Sequence, residues 1–130
     1  MNNLLTVPFD PVSLITQSKK GIQKSELLAL QNEIHLTNEE LAHALQISTR
    51  ALLGYDYAEQ LKVRIAERAL ALAQLYARGF EVMGKERFLR WMSKEHVALG
   101  QMKAKELLDT HFGIQLLLDE LGRIEHGVLA

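Results

Sequence analysis

The chain has 130 residues, room for one ordinary domain or for two small helical units sharing a core. It has no cysteine, which excludes a disulfide framework, a thiol nucleophile and a cysteine-based zinc site, and fits a reducing compartment. Fifteen basic and sixteen acidic side chains leave a formal charge of −1, so any nucleic-acid binding has to come from a local patch rather than a global field.

No apolar run approaches the roughly 20 residues that span a bilayer. The start, MNNLLTVPFDP, lacks a basic region followed by a long apolar one, so a soluble, untargeted cytoplasmic protein without a membrane partner is expected. Both prolines precede residue 12, and apolar spacing of the helical kind runs through almost everything after them. An all-α fold is therefore predicted, with no alternating strand pattern of useful length.

Asp10-Pro11 is a good helix start, because the carboxylate can cap orphan amides while proline occupies a position whose N–H has no partner to lose. A first helix is expected to about Lys19 and a second from about Gln23 to Ile34, with Leu27, Leu30 and Ile34 on one side. Thr37-Asn38-Glu39-Glu40 has the form of a capping box opening a short helix to Leu45. Gln46-Ile47-Ser48 reads as a turn, Ser48 as an N-cap, and a further helix is expected from Thr49 to about Gly54. Two short helices three residues apart, with Leu41, Ala42, Leu45, Ile47 and Leu52 inward, predict a helix-turn-helix over about 37–55.

A reading helix normally offers several Arg, Lys, Asn or Gln to DNA. Here TRALLGYD offers Arg50, with Thr49 and Tyr55 beside it, while Asp56 and Glu59 follow with the wrong sign. Lys62, Arg64 and Arg68, together with Lys19, Lys20 and Lys24, are either phosphate contacts or simply solvated charges.

From Val63 a long amphipathic helix is predicted, with Ile65, Ala69, Leu72, Ala73 and Tyr76 on one stripe, and a unit boundary near Gly79 divides the chain into 1–78 and 79–130. Gly79 and Gly84 each mark either a helix end or a close backbone contact. Lys85 to Met92 predicts another helix; its Trp91 is either core or a partner hot spot. A turn at Ala98-Leu99-Gly100 and a short helix from Met102 to Asp109 follow, with Leu107 and Leu108 inward. Asp109 or Thr110 then caps a terminal helix whose apolar face is Ile114, Leu117, Leu118, Leu121 and Ile124, opposite Gln115, Asp119, Glu120 and Arg123. Gly127 is the expected stop, leaving Val128-Leu129-Ala130 as a short tail. Gly122, inside this helix, costs roughly 1 kcal/mol relative to alanine, which close approach of another helix would offset.

Five histidines invite a search for an active site. His35, His43, His96, His111 and His126 never fall at a metal-ligand spacing, no acidic cluster accompanies them, and no phosphate-cradling glycine loop is present. Neither catalytic residues, metal ligands nor a cofactor is assigned, and an enzyme is not expected.

Between Gly79 and Val128 the runs RFLRWM, ALG, LLDTH, FGIQLL and ELGRIEHGV resemble the toxin-binding domain of the Xre/MbcA/ParS family of type II antitoxins, and a weaker similarity in register extends back to Ile22. The resemblance implies an Xre-like helix-turn-helix unit joined by a long helix to a small toxin-binding domain. It further implies a homodimeric bacterial protein that inhibits an NAD-consuming toxin of the RES-domain type, its C-terminal segment occluding the toxin's active site, and that represses its own operon at operator DNA. Carried over residue by residue, it points to Arg123, Glu125, His126, Gly127 and Val128 as toxin contacts; on the bland reading Leu121, Ile124 and Val128 are core and Arg123 and Glu125 solvated. Family members often carry a basic cluster on the reading helix, and this sequence does not. The alternative is a stand-alone helix-turn-helix regulator whose distal domain only dimerises.

Overall fold

The structure is a computed structural model and describes residues 3–129. It contains seven α-helices among the described residues, with one two-stranded ribbon: α1 Pro11–Lys20, α2 Lys24–Ile34, α3 Asn38–Leu45, α4 Thr49–Gly54, α5 Val63–Met83, α6 Lys85–Met92, β1 Glu95–His96, β2 Met102–Lys103 and α7 His111–Leu129. The chain separates into two compact units, one ending at Gln74 and the other beginning at Leu75, and α5 runs unbroken through the division and through Gly79.

In the first unit the helix starts follow from local side chains. Asp10 accepts the Ser13 amide at 2.8 Å, and Ser48 accepts the Ala51 amide at 3.0 Å. Thr37 and Glu40 form the reciprocal capping box, and at the head of α2 the Glu26 carboxylate accepts the Gln23 amide at 3.1 Å. The Asp10 carboxyl is held below its ordinary range, chiefly by the Ser13 hydrogen bonds. Leu27, Leu30, Ile34, Leu41, Leu45 and Leu52 are buried, as is the first-unit stripe of α5 through Ile65, Ala69, Leu72 and Ala73. This burial holds α3 and α4 against the rest of the unit, because neither helix is long enough to persist alone.

Two basic residues that the sequence left as either phosphate contacts or solvated charges are used inside this unit instead. Lys24 is 5% exposed, and its ammonium donates to the carbonyls of Leu52 at 2.6 Å and Tyr55 at 3.3 Å. Arg68 donates through Nε and Nη2 to the Ala44 carbonyl, at 3.0 and 2.9 Å. Each cation meets the C-terminal end of a short helix, α4 for Lys24 and α3 for Arg68, where orphan carbonyls and the negative end of the dipole favour it.

The second unit is built on an aromatic cluster. Tyr76 and Phe88 are fully buried with ring centroids 5.4 Å apart, edge to face; Phe80 meets both, and Trp91 stacks on Phe88 at 5.8 Å. Gly79 is neither a helix end nor a close backbone contact: it lies within α5 against a side chain, and a Cβ there would overlap the Phe88 ring. Met92, Leu99, Leu108, Ile114, Leu117 and Leu121 complete the core.

The segment after α6 departs from expectation. In place of a helix from Met102 to Asp109, β1 pairs antiparallel with β2, Glu95 opposite Lys103 and His96 opposite Met102, and a 3-10 turn, Ala104–Leu107, follows. Gly100 and Gln101 both take positive φ, 67° and 68°, which reverses the chain and lets the Gln101 amide reach the His96 carbonyl at 2.9 Å. Strands this short bury no alternating face, so there was no period-2 signal to read. No helix of the described residues is long and apolar enough to cross a membrane.

Candidate functional site

Thr110 sets the start of α7: its hydroxyl accepts the Gly113 amide at 2.9 Å, which settles the choice between Asp109 and Thr110 as cap. Gly113 packs so closely on the Leu107 carbonyl that a Cβ would overlap it. From there the apolar spacing fixes the helix's rotation. Ile114, Leu117 and Leu121 are buried, and Leu118 and Ile124 are half-buried on the same side.

At about 100° per residue the opposite side of α7 carries Phe112, Leu116, Asp119, Arg123, His126 and Gly127 as one strip. Every one of these residues is exposed. Phe112 is 83% exposed and Leu116 38%, while Val97 and Met102 are further exposed apolar residues of the unit. Arg123 pairs with Glu120 one turn back, and Gln115 donates to Asp119 at 3.2 Å.

The predicted contact residues therefore divide. Arg123, His126 and Gly127 share the outward strip with Phe112 and Leu116, whereas Glu125 faces the other way. The Glu125 carboxylate accepts from Arg78 Nη2 at 2.7 Å, and Arg78 also lies 3.7 Å from Glu81. Glu125 is thus paired within the unit rather than simply solvated, with about a third of its side chain still exposed. The Arg78 hydrogen bond, with the nearby positive charges of Arg78 and His126, holds Glu125 below its ordinary range; the same bond raises Arg78. The helix runs on through Gly127 to Leu129 instead of stopping, because Gly127 keeps a helical backbone rather than the positive φ a glycine stop requires. Val128 belongs to this last turn, and its side chain lies outside the described residues.

Sequence reasoning missed Phe112 and Leu116 as surface residues. Their four-residue spacing, in phase with Arg123 and out of phase with Leu117 and Leu121, was the signal that could have found them. Arg78 carried no such signal, being 47 residues from its partner.

In the first unit, Arg50 and Leu53 face out from α4, Leu53 being 59% exposed, and Lys62 and Arg64 are exposed at the start of α5. Thr49 and Tyr55 are half-buried, and the Tyr55 carbonyl is the one that Lys24 holds. The histidines are dispersed. His35 ends α2 with φ 55°, and His96 Nε2 lies 2.8 Å from the Trp91 carbonyl. Among the described residues no group of three or more His, Asp or Glu is placed to hold a metal ion.

With this geometry in place, comparison with known families bears on the second unit. Residues 78–127 match the antitoxin Xre/MbcA/ParS C-terminal toxin-binding domain. The match includes Arg78, the aromatic cluster from Phe80 onward, and the outward strip from Phe112 to Gly127. It supports an antitoxin role and a toxin as partner, and it covers less than half of the chain. No curated protein matches the chain.

Proposed function

We propose that the chain is the antitoxin of a type II toxin–antitoxin system, a non-catalytic inhibitor of an NAD-consuming toxin of the RES-domain type. The observation that carries the reading is the outward strip of α7. It lies within the stretch matching a toxin-binding domain, and it exposes Phe112 and Leu116 at one end and Arg123 and His126 at the other. Aromatic and arginine side chains exposed along one face have the composition of an interface. The apolar head of the strip supplies burial; Arg123, His126 and Gly127 at its other end, with Val128 following in the chain, are the residues proposed to occlude the toxin's active site. In this reading Glu125 acts within the antitoxin rather than at the partner's surface.

The N-terminal part has a second role in this proposal. The turn Gln46-Ile47-Ser48 between α3 and α4 supports a helix-turn-helix, with Arg50 facing bases or phosphates and Lys62 and Arg64 adding phosphate contacts, the half-buried Thr49 and Tyr55 framing it. As a cytoplasmic homodimer the protein would then repress its own operon. With Lys24 and Arg68 committed internally, few cations remain near α4, so operator affinity is weak and falls steeply with salt.

The test follows cellular NAD and growth in bacteria expressing the product of the adjacent gene, with the full chain or with a version ending at Glu125. Rescue by the full chain and loss of rescue on truncation is the expected result. Equal rescue by both would move inhibition from the last turn to the Phe112 end of the strip. Salt-dependent binding to the upstream DNA with no toxin bound would favour a stand-alone transcriptional regulator.

A further inference from the structure

The last two turns of α7 are poorly equipped to remain helical unaided. Gly122 and Gly127 both lower helix propensity. A Cβ at either would meet nothing within 4 Å, so close packing within the chain offsets neither. Glu125 places a negative charge in the final turns, where the helix dipole disfavours it. Against this stand the half-buried Ile124 and the 2.7 Å bond from Arg78, which reaches Glu125 from the second-unit part of α5.

The direction of that bond matters for what the helix shows to a partner. Glu125 lies on the same side of α7 as Leu118 and Leu121; Arg123, His126 and Gly127 lie on the other. If the end of the helix frayed or rotated, the core residues earlier in α7 would be undisturbed while the three outward residues lost their common direction.

We propose that Arg78 and Glu125 form a clamp that positions the toxin-facing turn: Arg78 touches no partner, yet by holding Glu125 inward it fixes the register that presents Arg123 and His126 outward. This rests on the antitoxin reading above. Arg78 is thus a positioning residue, and the Glu125 of the LGRIEHG run serves an intramolecular bond. The bond neutralises Glu125 against the dipole and supplies a lateral tether where glycine supplies none.

The clamp is tested on the full chain with Arg78→Gln, Glu125→Gln and the double variant, by two readouts. The first is amide hydrogen exchange over residues 124–129 without any partner. The second is the concentration needed to inhibit the purified product of the adjacent gene. Both single variants are expected to raise exchange severalfold and to weaken inhibition in parallel. The double variant is expected to do no more than either single one, since all three remove the same bond. Thermal melting by circular dichroism should stay within error for all three, as the pair is about one-third exposed on each side. Arg78→Lys, which keeps the positive charge on a shorter side chain, is expected to recover part of both losses. Unchanged exchange in Arg78→Gln overturns the clamp. Weakened inhibition by Glu125→Gln alone also overturns it, because Glu125 would then be a direct contact. If the unsubstituted chain inhibits nothing, the antitoxin reading falls and takes the positioning role with it, and the exchange result still decides whether the tether exists.

Discussion

Replacing Phe112 by alanine should separate binding from folding more cleanly than any other change in this protein. The ring is 83% exposed, so the folded chain alone gains little from it. Its nearest described aromatic neighbour is His111, edge-on at 6.0 Å. Burying a phenylalanine side chain completely is worth roughly 1.5–3 kcal/mol, and most of this ring is still available to be buried by a partner. A loss of about 2 kcal/mol on truncation corresponds to roughly a 30-fold rise in Kd. Titration calorimetry of the purified variant against the purified toxin reads the affinity, and circular dichroism reads the melting temperature. The expected result is a Kd raised by one to two orders of magnitude at an unchanged Tm. A change of less than about threefold, with binding otherwise intact, would refute the outward strip as the docking face. A large drop in Tm would refute the claim that Phe112 is idle in the free fold.

Other substitutions probe how the units are held. Gly79→Ala pushes a methyl into the Phe88 ring and should cost about 1–3 kcal/mol by overpacking, measured by urea denaturation. Lys24→Met leaves the carbonyls of Leu52 and Tyr55 without their charged donor and should cost about 1–3 kcal/mol, also by urea denaturation; neutrality would mean that the ammonium's desolvation cancels its bonds. Ser48→Ala removes the N-cap of α4 and should cost about 1 kcal/mol, together with faster exchange of the α4 amides. Acid should loosen the end of α7. Glu125 binds its proton less readily in the folded chain than at its ordinary value of 4.5, so the stabilisation from Arg78 is complete above that value and is lost as pH falls through the lower folded value. Amide exchange over residues 124–129, corrected for its intrinsic pH dependence, should rise in that window. Glu81, close to Arg78, and His126, next to Glu125, face the same pair, so Glu125→Gln is the control that should abolish the rise.

Helix starts were legible because a start is a local event. Asp10, Thr37 and Ser48 each satisfy an amide three residues ahead, and a reader needs only those few positions to see it. The buried stripes of α5 and α7 were legible for a similar reason, since a period of 3.6 survives in sequence whatever covers the face. Three features were not. The ribbon of β1 and β2 depends on two consecutive residues with positive φ, and only one of them, Gly100, advertises it; Gln101 does not. Lys24 and Arg68 looked like surface charge because their partners are main-chain carbonyls, which have no residue identity to recognise. Within the candidate site the outward position of Arg123 and His126 follows from the helix period alone, whereas the inward commitment of Glu125 requires Arg78, which the sequence places in a different helix.

Trp91 is the chain's single tryptophan, and it sits in the second unit, stacked on Phe88 with the His96 imidazole 4.5 Å from its ring centre. Its emission is therefore a private optical channel for that unit, with the first unit dark at the same wavelength. Far-ultraviolet dichroism, by contrast, sums the helices of both. Superimposed melting curves from the two signals would mean that α5 transmits unfolding along its whole length, and separated curves that the chain comes apart in two steps.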